Sequence, residues 1–390
     1  MSWIDEIAYL LQPVGEPFQD YVLGEGNFIG NKILKNNGKS LPDPEEFKLA
    51  ILGVGEGRRF DGSDQTRSPN QIREALYSMF PPSEGIKIAD LGDIIPGKEP
   101  TDTDAAIKLI VGELLSHKKS VIFLGGSHDL TYALHQAFDP LEIPINISIV
   151  DKLIDLGELH GELTAVNFLN KIILHEPSYL FSLSVLGYQS YYADPEVLSL
   201  MDKLMFDYYR LGELQSNLNR IEPILRNCDL VSIDMGSVSN AAAPGSNEPN
   251  GFSGEEICRI ARYAGLSNRT SVFGLFNYNG TDDTKGVQAK LIGQMIWYFI
   301  EGYSGRVREF PLVKKEGFFE FKIHLPEHND AITFFKSKRT DKWWLKVPYS
   351  VKGSLYSERQ HLVPCSYEDY KLASEGEIPD LWWKTVRKLS

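Results

Sequence analysis

Between residues 47 and 303 short unbroken apolar runs alternate with longer amphipathic segments, and this rhythm constrains the fold more than any other feature of the chain. The apolar runs predict strands over 47–54, 87–91, 120–124, 145–150, 179–187, 203–208, 230–234 and 271–276. Most show no polar alternation, as strands do when both faces of their sheet are covered. The segments between them predict helices. One spans 70–80 after Ser68-Pro69, and one spans 102–117 after Thr101, a plausible N-cap. A third spans 253–263, with Ser253 and Glu256 in capping-box spacing and a stop near Gly265. The last spans 284–303 and ends at Gly305. Strand–helix alternation of this kind implies an α/β fold, a three-layer αβα sandwich around a mostly parallel, roughly eight-stranded sheet.

The flanks break the rhythm, which divides the 390 residues into three parts. Residues 1–45 read as a helix and a Gly/Asn-rich loop packing on the core, with Trp3, Ile7, Leu10 and Leu11 on one helical face. Residues 46–305 form the α/β domain. Residues 306–390 form an aromatic-rich extension, with short strands expected over 318–325, 331–335 and 343–347. Trp343, Trp344, Trp382 and Trp383 there either cover a core or offer a surface to a protein partner or a second copy of the chain.

A net charge of -13 argues against nucleic acid and anionic membrane as partners, since both need a cationic footprint. Cys228, Cys258 and Cys365 have no metal-like spacing and read as buried free thiols. The N-terminus lacks the basic start and unbroken apolar run of a secretory signal, and no stretch is long enough to span a bilayer. A cytoplasmic protein is expected.

In a parallel α/β sheet, functional groups gather just beyond the carboxyl ends of strands. Three such ends stand out. Gly125-Gly-Ser-His-Asp129 follows the run 121–124. Asp151-Lys-Leu-Ile-Asp155 follows 145–150. Asp234-Met-Gly236 follows 230–233, with Ala243-Pro-Gly245 downstream. One imidazole and three carboxylates at neighbouring strand ends would suit a divalent cation such as Mn²⁺. Singly, each has a plainer reading: an Asp there usually caps a helix, and a His after Gly-Gly is often only hydrogen-bonded.

The ordered set resembles the arginase/agmatinase/formimidoylglutamase family of ureohydrolases, with formimidoylglutamases nearest. That family carries Gly-Gly-Asp-His-Ser, then Asp-Ala-His-x-Asp, then Ser-Phe-Asp-x-Asp and a downstream Ala-Pro-Gly. Gly53-Val-Gly55, the 68–73 segment, Asp90-Leu-Gly-Asp93 and Gly286-Val-Gln-Ala-Lys290 also match, so the likeness covers about residues 47–303. The resemblance implies a site with two Mn²⁺ ions, which acidify a water for attack on an amidine or guanidine carbon. By match, His128, Asp151, Asp155 and Asp234 would hold the first ion, and all four are present.

The second ion needs side-chain donors where this chain has Leu153 and Gly236. The family's substrate carboxylate, which holds the cationic amidine, falls at Leu275 or Phe276. The family's Asp and Ser flanking the motif His are exchanged for Ser127 and Asp129. His160 and Asn277 are the candidate substrate-binding residues, with an ordinary surface His as the plainer reading of His160. Whether Lys152 reaches the second position as a substitute cation is open. No catalytic residue is assigned. The expectation is a ureohydrolase-fold protein with a degenerate centre and at most one divalent ion, Mn²⁺ first, kept for binding or scaffolding. The alternatives are a one-ion hydrolase of linear amidines, or four purely structural groups and no metal.

Overall fold

The computed structural model describes residues 3–15, 18, 26–60, 68–83, 85–158, 161–244, 248–278, 280–311, 315–324, 331–350 and 358–389. Eight parallel strands carry the first body. They are β1 (Leu49–Gly53), β2 (Ile88–Ile94), β3 (Ser120–Leu124), β4 (Ile145–Val150), β5 (Leu180–Tyr188), β6 (Asp207–Arg210), β7 (Leu230–Asp234) and β8 (Val272–Phe276). Their spatial order is β2-β1-β3-β8-β7-β4-β5-β6. The central strands β1, β3, β4 and β7 are buried at every position, which is why their sequences read as unbroken apolar runs.

Among the described residues the sheet has ten strands rather than about eight, because Leu11–Gln12 and Leu34–Lys35 both pair with β2. Two residues carry no periodicity, so strands this short leave no trace in the sequence. The strand expected over 203–208 also moves, to 207–210. Asp194 caps a helix, Pro195–Lys203, by accepting from the Glu196 N–H, and that helix consumes the start of the predicted strand.

Helices cover both faces. On one lie α1 (Ser68–Tyr77), α2 (Ile221–Arg226), α3 (Gly254–Leu266) and α4 (Val287–Ser304), joined to the sheet through Leu76, Leu225, Ile260 and Ile296. On the other lie Pro100–Ser116 and Leu130–Gln136, with Ile110, Leu114 and Leu134 in the core, together with Ile4 and Ile7 of the N-terminal helix. Ser253 and Glu256 form the capping box read from sequence. The 100–116 helix starts earlier than Thr101 predicts: Glu99 is its cap, paired reciprocally with Asp102 behind Pro100. Proline at the first helical position loses no hydrogen bond and has the right φ.

Residues beyond 317 form a second, antiparallel sheet of β9 (Phe318–Ile323), β10 (Ile332–Ser337), β11 (Trp343–Ser350) and β12 (Glu358–Cys365), in that order. Two further helices follow, α5 (Tyr367–Ser374) and α6 (Asp380–Leu389). Strand alternation sorts the aromatics. Phe334, Trp343 and Leu345 face a core with Ala373 and Tyr370, whereas Phe335, Trp344 and Phe318 cluster on the other side. β12 and both helices went unpredicted; Pro364 argues against a strand by sequence but is tolerated at this sheet edge. Arg226 on α2 joins the bodies: its guanidinium stacks 4.6 Å over Trp344 and donates to the Trp343 and Cys365 carbonyls.

Candidate metal centre

Register places the candidate residues. β3, β8, β7 and β4 are consecutive in the sheet, and the pairings Leu124↔Leu275, Phe276↔Asp234 and Val150↔Ile233 bring their carboxyl ends level. His128 leaves β3, Asp151 leaves β4, Asp234 ends β7 and Asn277 follows β8, so four segments distant in sequence meet at one edge. The glycines before His128 are required by close approach. A Cβ on Gly126 would stand 1.8 Å from the Glu56 carbonyl oxygen, and one on Gly125 would strike the Phe276 ring.

Three of the predicted donors, His128, Asp151 and Asp234, form a tight cluster with Asp155 beside them, and all four are buried. His128 Nδ1 lies 3.1 Å from Asp151 Oδ2, 3.6 Å from Asp234 Oδ2 and 3.8 Å from Asp155 Oδ2. Ligand atoms of His128, Asp151 and Asp234 all fall within 4.8 Å of one another. On its far side His128 Nε2 lies 2.9 Å from Ser232 Oγ, which in turn meets Thr131 Oγ1 at 2.7 Å. With Nε2–H donating to Ser232, Nδ1 is left to the carboxylates: its proton is shared with Asp151, and on losing that proton Nδ1 would present the lone pair a metal ligand needs. Asn277, at φ 58°, donates from Nδ2 to Asp234 Oδ2 at 2.7 Å and accepts from the His128 N–H at 3.1 Å. The predicted substrate residue Asn277 therefore sits against the carboxylate cluster, while His160 lies outside the described residues.

The electrostatics call for a cation. Burial, and then the charge of Asp151, push Asp234 up to about 6, against the pull of His128 and the Gly236 and Asn277 donors. Burial and Asp151 likewise hold Asp155 well above the usual carboxylate range. Burial opposes charge on His128, but the Asp151 hydrogen bond and the surrounding carboxylates outweigh it and raise its pKa. Among the described residues no Lys or Arg makes an ion pair with Asp151, Asp155 or Asp234. One imidazole against three buried carboxylates leaves the set short of positive charge, which fits a divalent ion.

The neighbouring position is different. Asp151 Oδ1 accepts from the Leu153 N–H at 3.1 Å, and Asp234 Oδ1 accepts from the Gly236 N–H at 2.6 Å. The carboxylate oxygens turned away from His128 are thus held by backbone donors of the two residues whose side chains cannot ligate. Lys152 forms an ion pair with Glu248, and Tyr192 OH lies 3.4 Å from the same carboxylate. At the substrate-carboxylate position, Leu275 and Phe276 are both buried, and the Phe276 ring packs 5.3 Å from that of His128.

The exchange of Ser127 and Asp129 has a structural partner that sequence reasoning missed. Asp129 accepts from Arg59 at 3.1 Å, and Arg59 also pairs with Asp104 at 2.6 Å. The signal was Glu56-Gly-Arg-Arg59 just beyond the carboxyl end of β1. Ser232 and Thr131, which hold the His128 ring, carried no signal because hydroxyls inside a strand or a helix look structural.

Comparison with known proteins agrees with this fold. Residues 48–301 match the model of the arginase family. A curated formimidoylglutamase of Staphylococcus aureus is 22% identical over 245 residues, 60% of this chain and 78% of the relative. Among solved structures, a Trypanosoma cruzi formiminoglutamase with Mn²⁺ superposes with a TM-score of 0.62 at 16% identity, covering 70% of this chain and 98% of its own. The Bacillus subtilis formimidoylglutamase gives 0.61 at 17% identity, covering 68% and 90%. At these identities the superpositions speak for the fold.

Proposed function

The chain belongs to the arginase family, and from that premise we propose that it is a pseudoenzyme near the formimidoylglutamases, a binding or scaffolding protein whose metal centre is reduced to one position. The observation that carries this reading is at Asp151 and Asp234: their outward oxygens take backbone N–H groups, and residues 153 and 236 offer no side-chain donor. His128, Asp151, Asp155 and Asp234 would hold one divalent ion, with Mn²⁺ suited to such hard-to-borderline donors. Ser232 fixes the His128 ring, and Asn277 orients Asp234. A cationic amidine entering beside Leu275 and Phe276 would meet no counter-charge, which is costly in a desolvated pocket. A cytoplasmic location goes with this reading. So does a protein partner on the extension, where Phe319, Tyr367 and Trp383 stand exposed.

A second reading, a one-ion hydrolase of linear amidines, is favoured by the completeness of the four-donor set. A single ion there would supply Lewis-acid activation of water. Elemental analysis of protein purified without chelator, paired with assays on arginine, agmatine and formimidoylglutamate in excess Mn²⁺, separates the two. We expect at most one ion per chain and no turnover. Two ions about 3.5 Å apart would overturn the reduced centre. Turnover near ~1 s⁻¹ that disappears in His128→Ala and Asp234→Ala would establish the hydrolase.

A further inference from the structure

The loop that carries His128 is pinned from both sides. β3 lies between β1 and β8, and Leu124 at its end is level with Gly53 on one neighbour and Leu275 on the other. From the β8 side, the Asn277 N–H donates to the Gly126 carbonyl at 2.8 Å, and Asn277 Oδ1 accepts from the His128 N–H at 3.1 Å. From the β1 side, the Glu56 carbonyl accepts from the Ser127 N–H at 2.8 Å.

A further contact from the β1 side joins side chains. Arg59 Nη1 donates to Asp129 Oδ2 at 3.1 Å and to Asp104 Oδ1 at 3.0 Å, while Nη2 donates to Asp104 Oδ2 at 2.6 Å. Asp104 belongs to the 100–116 helix, so the guanidinium is held in place by a two-pronged pair while it reaches Asp129. Asp129 has no exposed surface, and its Oδ1 has no partner among the described residues. Deprived of Arg59, this carboxylate would have to take a proton or shift until it met water. It directly follows His128 in the chain, so a shift of one displaces the other.

We propose that Arg59 is a positioning residue of the metal centre, which by pairing with Asp129 holds the His128 ring against Asp151 and Asp234. Among the described residues Arg59 pairs only with Asp104 and Asp129, so it acts through the His128 loop and not on the ion. The inference rests on the one-ion reading of the centre. It also explains how an acid is tolerated next to His128: its counter-charge comes from the strand alongside.

The test is Mn²⁺ binding to the full metal-free chain by calorimetry, with thermal unfolding alongside. Arg59→Met should raise the Mn²⁺ Kd about tenfold, the scale expected for groups that hold metal ligands in place. Adding Asp129→Ser removes the stranded carboxylate and should bring Kd back to within about threefold of wild type. Tm should stay low in that double variant, because Asp104 still lacks its guanidinium, and this separates positioning of His128 from general stability. Arg59→Lys keeps the charge but not the fork that spans two carboxylates, so it should weaken Mn²⁺ in the same direction by a smaller factor. It carries the test if the Met variant does not fold. A Kd that falls in Arg59→Met, as simple relief of repulsion between guanidinium and ion predicts, overturns the proposal. So does an unchanged Kd, or a double variant that recovers nothing. A wild type that takes up no Mn²⁺ sinks the one-ion reading and this inference together; a wild type that binds while the variants bind equally well sinks the inference alone.

Discussion

On β2, Asp90 and Asp93 face Arg73, a guanidinium with no exposed surface; at the centre of the sheet, the ion pairs of Asp151, Asp155 and Asp234 among the described residues are with His128 alone. Arg73 donates to both Asp90 oxygens at 2.8 and 3.1 Å and to the Gly92 carbonyl at 3.0 Å, and Tyr77 adds a further donor to Asp90. Burial works against the charge of Arg73, but Asp90 and Asp93 more than compensate and hold it firmly protonated. That cluster is complete within the chain. The central cluster has no such guanidinium: burial raises Asp93 as it raises Asp155 and Asp234, but only Asp93 has a permanently charged Arg73 pulling against it. The difference teaches how a structural acidic cluster is told from a ligand site. In the first the sequence supplies the cation; in the second the cation must come from outside.

The largest expected effect tests the closed cluster. Arg73→Met leaves Asp90, Asp93 and Tyr77 facing an apolar side chain, and urea unfolding should show a loss of about 3–5 kcal/mol. A loss below ~1 kcal/mol would mean that the β2 cluster does not depend on its guanidinium.

Burial without any partner gives the next effect. His135 is 2% exposed, has an Nδ1 without a partner among the described residues, and packs against His175, which pairs with Asp139. Burial, then the nearby charge of His175, pulls its pKa down to about 4, against an ordinary 6.5. The unfolded chain takes the proton first as pH falls, so stability should decline from pH 6.5 to pH 4, by at most about 3 kcal/mol. Unfolding midpoints across that window should flatten in His135→Gln. An unchanged slope would show that the carboxylates, not this imidazole, set the acid limit.

Asp155→Asn probes the open cluster with a change of sign. Without metal, removing one of three repelling carboxylates should stabilise the protein by about 1 kcal/mol. With Mn²⁺ at a hundredfold excess over its Kd, the wild type should gain about 2.7 kcal/mol and the variant little. Thermal unfolding with and without the ion checks both signs. A variant that is less stable in both conditions would make the cluster a structural one like that of Arg73.

The smallest effect belongs to Lys152. Paired with Glu248 and partly exposed, it should cost under about 1 kcal/mol when replaced by Met. A loss comparable to that of Arg73→Met would instead identify Lys152 as the internal cation of the second position.

Legibility followed burial. The strands predicted at 120–124, 145–150 and 230–234 match those observed, since a strand covered on both faces writes an unbroken apolar run. The edge strand at 207–210 was displaced because Asp207, Tyr208 and Tyr209 are half-buried and give no such run. In the extension, Phe318, Ile332 and Trp343 announced their strands, but β12 carries Pro364 and α6 has few fully buried residues, so neither was visible. At the centre, His128, Asp151, Asp155 and Asp234 were readable from type and spacing. Ser232, Thr131 and Arg59 were not, because their roles are set by partners 70 or more residues away.

The amino-acid order by itself determined which groups can exist at each strand end: a complete donor set for one ion, and Leu153 and Gly236 where a second would need ligands. Local periodicity also determined the layered α/β body, because strand and helix patterns need only near neighbours to declare themselves. Tertiary structure decided what those groups do. Strand register brought four distant segments level, and it turned one oxygen of Asp151 and one of Asp234 toward His128 while backbone N–H groups claimed the others. It also matched Arg73 to one acidic cluster and left the other with a single imidazole for three carboxylates. Pairing and desolvation depend on what lies within a few ångströms in space, and only the packed chain specifies that.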